Sequence, residues 1–545
     1  METTRKLPIG IQDFEYLRTN NYLYVDKTQY IYKLLQHGKP YFLGRPRRFG
    51  KSLFISTLKA YFEGKKGLFE GLKIAELEKE WTKYPVFYLD FNRESYIDLN
   101  SFNAALDINL RYLEEDWGKN EEDTTPAVRF SGLIRRACKK TGKQVVVLID
   151  EYDKPLISTM DNSTLNDDIR TILKGFYGVL KAEDACLKFV FLTGVTKFSK
   201  VSVFSDLNHL TDISLNENFA EVCGISEAEL LQNFQPEIQA LAERRQITPD
   251  EAFAELKKRY DGYHFAKVSA DIYNPFSVLR TFGSLDFAYY WFETGTPTFL
   301  VKALRNQNYD IRKFEDDVII SADSIMDYRV ENKNLTPLLY QTGYLTIKKY
   351  EQKKDAFVLG FPNEEVKYGF LKELLPTFVL DPIQTGNFSV IEFIQQIEDG
   401  DIEDFMTSLK AFFAAIPYDA IKQEHRGEQY YQHVFYLLFT LIGEFVETEV
   451  KNNKGRADAV VKTADSIYVF EFKMEEKATA EAALEQINSK DYAIPYTADH
   501  RKLVKIGVEF SQTEKGVKRW VIERKKIKVR GKPLQVTGGL VQRRH

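Results

Sequence analysis

Four short runs are apolar at successive positions: "PYFLG" from residue 40, "PVFYLDF" from 85, "QVVVLIDEYD" from 144 and "LKFVFLTG" from 187. Strands of a parallel sheet, covered on both faces, have this pattern. Helical periodicity occupies the intervals, including residues 52–62 and 165–181, so a βαβ layout is predicted. From about 216 to 420 the pattern turns mainly helical, with charged stretches such as "EAFAELKKRY", and reads as a lid and connecting region. A second α/β unit is predicted over 421–535: an apolar helix, a strand pair, another helix, then strands at "KLVKIGVEF" and "KRWVIE". Residues 536–545 form a tail. No internal repeat or low-complexity segment is present.

The 545 residues exceed one compact core and suggest three or four units. Hydrophobic content of 44% and charged content of 28% are those of ordinary globular domains, so disorder is not the default. Cys138, Cys186 and Cys223 form no C-x-x-C pair, so neither a zinc site nor a disulfide framework is indicated and a reducing cytoplasm is expected. The start, "METTRKLPIGIQDF", has no apolar signal core, and the run 434–443 is too short to span a membrane. A net charge of −4 offers no global attraction to nucleic acid. Charge is uneven, however: residues 515–532 are densely basic and interleaved with apolar positions. That suits a strand beside a phosphate-binding surface, or equally a solvated basic tail.

The stretch "YFLGRPRRFGKSLF", 41–54, joins the first strand to a helix. It ends as a phosphate-binding loop does, with Gly50, Lys51 and Ser52, but Arg45 stands where the pattern G-x-x-x-x-G-K-[ST] has its first glycine. Backbone N–H groups of such a loop and the following helix N-terminus bind phosphate; Lys51 would reach the β and γ phosphates of ATP and Ser52 would ligate Mg²⁺. Asp150 and Glu151 end the buried run 145–149, at the strand ends where open α/β sheets bind ligands. Asp150 is expected to hold Mg²⁺ through water and Glu151 to polarise the attacking water. "PVFYLDF" falls between these motifs, suggesting a sheet with a strand inserted between the loop strand and the magnesium strand, the order of AAA-like P-loop ATPases. Thr193 stands where such enzymes sense the γ phosphate; a plain strand-end hydroxyl is an equal alternative.

Near the C-terminus, "GRADAVVKTADSIYVFEFKM" spans 455–474. A two-residue turn at Ala464 and Asp465 would set Asp458 opposite Glu471. Alternation then puts Lys473 on the face of Glu471, with Phe470 and Phe472 on the core face. Two carboxylates and a lysine can bind Mg²⁺, activate a water and stabilise the extra charge of phosphodiester cleavage. An exposed ion pair of little consequence is the alternative. In the next helix Gln486 and Lys490 share a face and are candidates to orient a phosphate or water. Glu428 would supplement the metal site, or simply favour its helix N-terminus.

With these motifs the chain resembles a bacterial family that joins an AAA-ATPase-like domain to a PD-(D/E)xK nuclease domain. Further marks are "YVDKT" at 24–28, "LIDEYDKPL" at 148–156, "FSDLNHLTDIS" at 204–214, "YDGYHF" at 260–265, and "ALEQI" followed by "KDY". The resemblance implies an AAA-like domain over 1–215 and a restriction-endonuclease-like α/β domain over 421–535. It implies nucleotide contacts from Gly50, Lys51 and Ser52, magnesium at Asp150 and a hydrolytic role for Glu151. In the nuclease domain it implies Asp458 and Glu471 as metal ligands, Lys473 as the catalytic lysine and Gln486 in support. Arg45, Arg47 and Arg48 become a family variation whose charge faces phosphate or the lid. The expected activity is nucleotide-regulated, Mg²⁺-dependent cleavage of nucleic acid, DNA ahead of RNA, with a homo-oligomer allowed. An ATPase switch whose nuclease-like domain binds without cutting, and a mobile-element protein that handles DNA ends, remain open.

Overall fold

The computed structural model describes residues 5–92, 95–197, 209–291, 318–327, 334–379, 390–414, 428–443, 447–450, 457–497, 499–511, 516–524 and 542–544, with isolated positions between them. It divides into two compact units, Met1–Gly295 with Phe314–Lys367, and Thr296–Lys313 with Tyr368–His545. Among the described residues no helix is long and apolar enough to cross a membrane.

The first unit is built on a parallel sheet of β1 (Pro40–Gly44), β2 (Val86–Asp90), β3 (Val145–Asp150), β4 (Leu187–Gly194) and β5 (Thr211–Asp212). Their order is β2-β3-β4-β1-β5. A strand does separate β1, which leads into the loop, from β3, which ends in Asp150, but it is β4, while "PVFYLDF" forms the edge strand β2. All six residues of β3 are buried, in keeping with a strand covered on both faces. Helices Lys51–Phe62 (α1), Leu99–Trp117 (α2), Pro126–Thr141 (α3) and Ser163–Ala182 (α4) flank the sheet's connections. Their ends carry ordinary signals. Asp98 and Ser101 form a capping box at the start of α2, and Thr125 caps α3, with Pro126 in its first turn.

After residue 215 the same unit adds helices, among them Pro275–Ser284 (α5), Thr336–Thr342 (α6) and the first residues of Glu364–Val379 (α7), a helix that belongs to the second unit from Tyr368 on. It also holds a two-stranded sheet, β6 (Ile225–Ser226) with β7 (Ile272–Tyr273). A three-stranded antiparallel sheet follows, β8 (Val318–Ser321), β9 (Thr346–Glu351) and β10 (Ala356–Gly360), in the order β8-β10-β9. Tyr260, Phe234, Leu241 and Val278 belong to the apolar cluster of this segment.

The second unit contains helix Glu428–Ile442 (α8) and a mixed six-stranded sheet: β11 (Glu447–Val450), β12 (Ala459–Lys462), β13 (Ser466–Met474), β14 (Lys502–Ser511), β15 (Gly516–Arg524) and β16 (Gln542–Arg544). Only β13 and β14 pair in parallel, and helix Ala480–Ser489 (α9) connects them. Thr463 N–H donates to the Ser466 carbonyl at 2.9 Å, closing the two-residue turn at Ala464 and Asp465. Ala459 therefore pairs with Phe470 and Val460 with Val469, the register expected from that turn. One sheet face packs Phe470 against Phe405 and Phe439. The other carries α9 over Val460, Ile467, Val469 and Leu503. Gly507 of β14 permits that closeness: a Cβ there would lie 2.2 Å from the Ala480 carbonyl oxygen and 2.6 Å from the Leu484 nitrogen.

Candidate functional site

The first candidate site lies where β1 turns into α1. Gly50, at φ 93°, takes the left-handed conformation a side chain resists, and α1 begins at the next residue. Lys51 is buried, its Nζ donating to the carbonyls of Arg45 at 3.1 Å and Pro46 at 3.0 Å, so the ammonium is folded back into its own loop. Burial pushes Asp150 up to about 6; the Ser52 hydroxyl and Lys51 ammonium act against that shift, while Glu151 and Asp90 add to it. Glu151 sits at φ 49°, rare for a non-glycine residue, with its N–H donating to Asp150 Oδ1 at 3.0 Å. Thr193 is fully buried and its hydroxyl donates to the Leu43 carbonyl at 2.9 Å, tying β4 to β1. Gly50, Lys51, Ser52 and Glu151 line one cleft of about 320 Å³, together with Pro8–Gln12 of the N-terminal segment.

The arginines of the loop divide their work. Arg45 is 1% exposed. It donates to the carbonyls of Gly44 (2.9 Å), Ser214 (2.8 Å), Phe219 (3.0 Å) and Ala220 (3.4 Å), and stacks on Phe265 with 4.3 Å between guanidinium and ring centre. Burial pulls its pKa down. Of the two directions expected for this charge, Arg45 takes the one toward the segment after residue 215. Arg48 lies over Phe276, 4.6 Å from the ring centre, and Phe49 packs edge-on against Tyr263. The indole of Trp291 donates to the Arg47 carbonyl at 3.3 Å. Trp291 is itself held by Glu365, which accepts its backbone N–H at 2.9 Å and the Ser277 hydroxyl at 2.8 Å. Burial pushes Glu365 up to about 7.

Sequence reasoning passed over Asp153, the second aspartate of "DEYD". It is 1% exposed and accepts from the N–H groups of Val195 (2.9 Å) and Thr196 (2.5 Å) and from the Thr196 hydroxyl (2.8 Å). It fixes the turn that leaves β4, beside Thr193. Its pKa is pushed up to about 6, chiefly by burial. The repeated acidic positions in "LIDEYD" were the available signal.

The second candidate site is at the β12–β13 pair. The observed register, continued one residue, sets Asp458 opposite Glu471. Asp458 is half-buried and its Oδ2 accepts the Phe472 N–H at 2.9 Å, which anchors this carboxylate on β13. Glu471 is 1% exposed, and its Oε1 receives both Lys473 Nζ, at 3.1 Å, and the Gln486 side-chain amide from α9. Asp458, Glu471, Lys473 and Gln486 thus come together on the α9 face of the sheet. Two oxygen-donor carboxylates, each oriented by a fixed hydrogen bond, fit a hard cation such as Mg²⁺, which retains several waters of its own. Tyr492, of the "KDY" string, was not singled out by the sequence; its hydroxyl lies 3.3 Å from the Gln486 amide.

Other expectations fare differently. Lys490 is exposed at the end of α9. The Glu428 side chain lies outside the described residues, as do 204–208 of "FSDLNHLTDIS", 455–456 of "GRAD" and 525–532 of the basic stretch. Lys518 and Arg519, from the described part of that stretch, are matched by carboxylates: Lys518 by Glu475 at 2.9 Å, Arg519 by Glu509 at 2.8 Å and by Glu481 at 2.5 Å.

A family model described as "Predicted AAA-ATPase" matches residues 8–204, and a model of the PD-(D/E)XK nuclease superfamily matches 426–520. These matches define the class: an AAA-ATPase-like domain followed by a PD-(D/E)XK nuclease superfamily domain. A protein of Azotobacter chroococcum mcd 1, described as "Uncharacterized protein in vnfD 5'region", is 36% identical over 533 residues, covering 95% of this chain and 99% of the relative. The chain belongs to the family of that two-domain layout.

Proposed function

We propose that this chain is a nucleotide-regulated, Mg²⁺-dependent nuclease that cleaves phosphodiester bonds of nucleic acid, with DNA the favoured substrate, in the cytoplasm. The observation that carries the reading is the meeting of Lys473 and Gln486 on one oxygen of buried Glu471, on the strand facing Asp458. Mg²⁺ at the two carboxylates would polarise the scissile phosphate and activate water. Asp458 and Glu471 would hold the cation. Gln486 keeps the Glu471 carboxylate oriented. Lys473, which pairs with Glu471, would supply positive charge to a phosphate oxygen that gains charge in the transition state.

At the other site Lys51 would exchange the two loop carbonyls for the β and γ phosphates of ATP, and Ser52 and Asp150 would hold the accompanying Mg²⁺. Glu151 is the group to orient the hydrolytic water. Thr193, whose buried hydroxyl is bonded to the Leu43 carbonyl, would act on this site through β1. Lid and connecting functions fall to the segment 216–420, and assembly into a homo-oligomer is compatible with this reading.

The test is a nuclease assay on DNA and RNA with and without ATP and Mg²⁺, run on the native chain and on Lys473→Ala and Asp458→Ala. Metal-dependent cleavage should fall at least a hundredfold in both variants. Unchanged cleavage in the variants defeats the nuclease reading. If no cleavage occurs while Lys51→Ala abolishes nucleotide binding, an ATPase switch that binds without cutting takes its place.

A further inference from the structure

The cleft before the nucleotide loop is lined by Arg47, Arg48, Lys51 and Lys154 against a single carboxylate, Glu151. Two of these cations are already committed, Lys51 to backbone carbonyls and Arg48 to the face of Phe276. Arg47 and Lys154 are not: among the described residues neither side chain makes an ion pair or a hydrogen bond, and both are half-buried. Half-buried like charges in one cleft repel through a medium less polar than water, so such a group is favourable only when a polyanion completes it.

The two residues also come from different elements. Arg47 belongs to the loop itself, its carbonyl held by Trp291. Lys154 follows the end of β3, where its N–H donates to the Glu151 carbonyl at 3.0 Å. The cleft they line is also lined by Lys51, Ser52 and the residue proposed to orient water. Resting on the nucleotide reading above, we infer that Arg47 and Lys154 take the terminal phosphate of a nucleoside triphosphate. They supply, from the same chain, the positive charge by which the site distinguishes a triphosphate from a diphosphate. Lys154 is the sharper case, since it leaves the strand end that carries Asp150 and Glu151.

The experiment measures the affinity of the full-length protein for ADP and for a non-hydrolysable ATP analogue, with Mg²⁺, by competition against a fluorescent nucleotide. Lys154→Met and Arg47→Met should each weaken the triphosphate about tenfold while changing ADP affinity by less than about threefold, and Lys154→Arg should restore most of the loss. A loss shared equally by both nucleotides, or no loss in either variant, overturns the inference. Lys51→Ala serves as the separate control. If it leaves all nucleotide binding intact, the nucleotide reading fails; if it removes binding while Lys154→Met and Arg47→Met leave the preference unaltered, only the present inference fails.

Discussion

Gly507→Ala places one methyl group where α9 crosses β14. The new carbon would lie 2.2 Å from the Ala480 carbonyl oxygen, 2.6 Å from the Leu484 nitrogen and 3.1 Å from the Leu484 Cβ. The first two neighbours are backbone atoms, so no side-chain rotation relieves them. Restoring an ordinary contact of 3.4 Å means that α9 must retreat by 1.2 Å. Overpacking of this kind costs about 2 kcal/mol, and more if the β13–β14 pairing yields as well. The same retreat carries Gln486 away from Glu471, so the carboxylate loses one of the donors that orient it. Calorimetric melting of the full chain should show the transition of the second unit lowered by several degrees. Mg²⁺-dependent cleavage, assayed well below that transition, should fall about tenfold or more. A variant with unaltered melting would refute the close packing of α9 on Gly507. Lowered melting with native cleavage would show that Gln486 is not needed at Glu471.

Arg45→Gly restores the glycine of the usual loop pattern, yet it should destabilise the first unit by about 3 kcal/mol or more, because four buried carbonyls lose a charged donor. Arg45→Lys should recover little, since an ammonium cannot reproduce the planar fork; native melting in Arg45→Gly counts against the described packing. Glu365 should make the stability of the same unit fall with pH. Its folded value of about 7 lies above its ordinary 4.5, so the folded state holds the proton longer than the unfolded chain. The favourable contribution is full below about 4.5 and is lost as pH rises through about 7, a span of about 3 kcal/mol. Glu365→Gln, followed by melting between pH 5 and 8, should flatten that dependence, and an unchanged slope would locate it elsewhere.

Much of the second site could be read from the chain. The apolar runs around Ala464 and Asp465 dictate the turn, the turn dictates the pairing, and the pairing sets Asp458 across from Glu471 with Lys473 on the same face. Each step depends on neighbours in sequence. The order of the parallel sheet did not follow in the same way, because which strand lies beside β1 is decided by helices and crossovers rather than by any local residue. Arg45 was opaque for another reason. An arginine in a glycine-rich loop suggests phosphate or solvent, and only the carbonyls of residues 214–220, brought back by the fold, make its burial favourable. Gly507 looked like any strand glycine until α9 was seen against it. Arg47 and Lys154 are far apart in sequence and line one cleft only because the parallel strands β1 and β3 end at the same edge of the sheet.

The buried Arg45 also bears on how this AAA-ATPase-like domain can be divided or inherited. Its acceptors at Ser214, Phe219 and Ala220, its stacking partner Phe265, and the Trp291 contact held by Glu365 all come from beyond the last strand of the parallel sheet or from its edge. A fragment cut after residue 215 would keep every residue of the loop and lose most of what holds it in shape. The smallest transferable piece with a native loop therefore extends to about residue 367, where the first unit ends. Gene fusions or truncations that respect the loop motif but not this longer span should yield chains that carry the signature without the fold behind it.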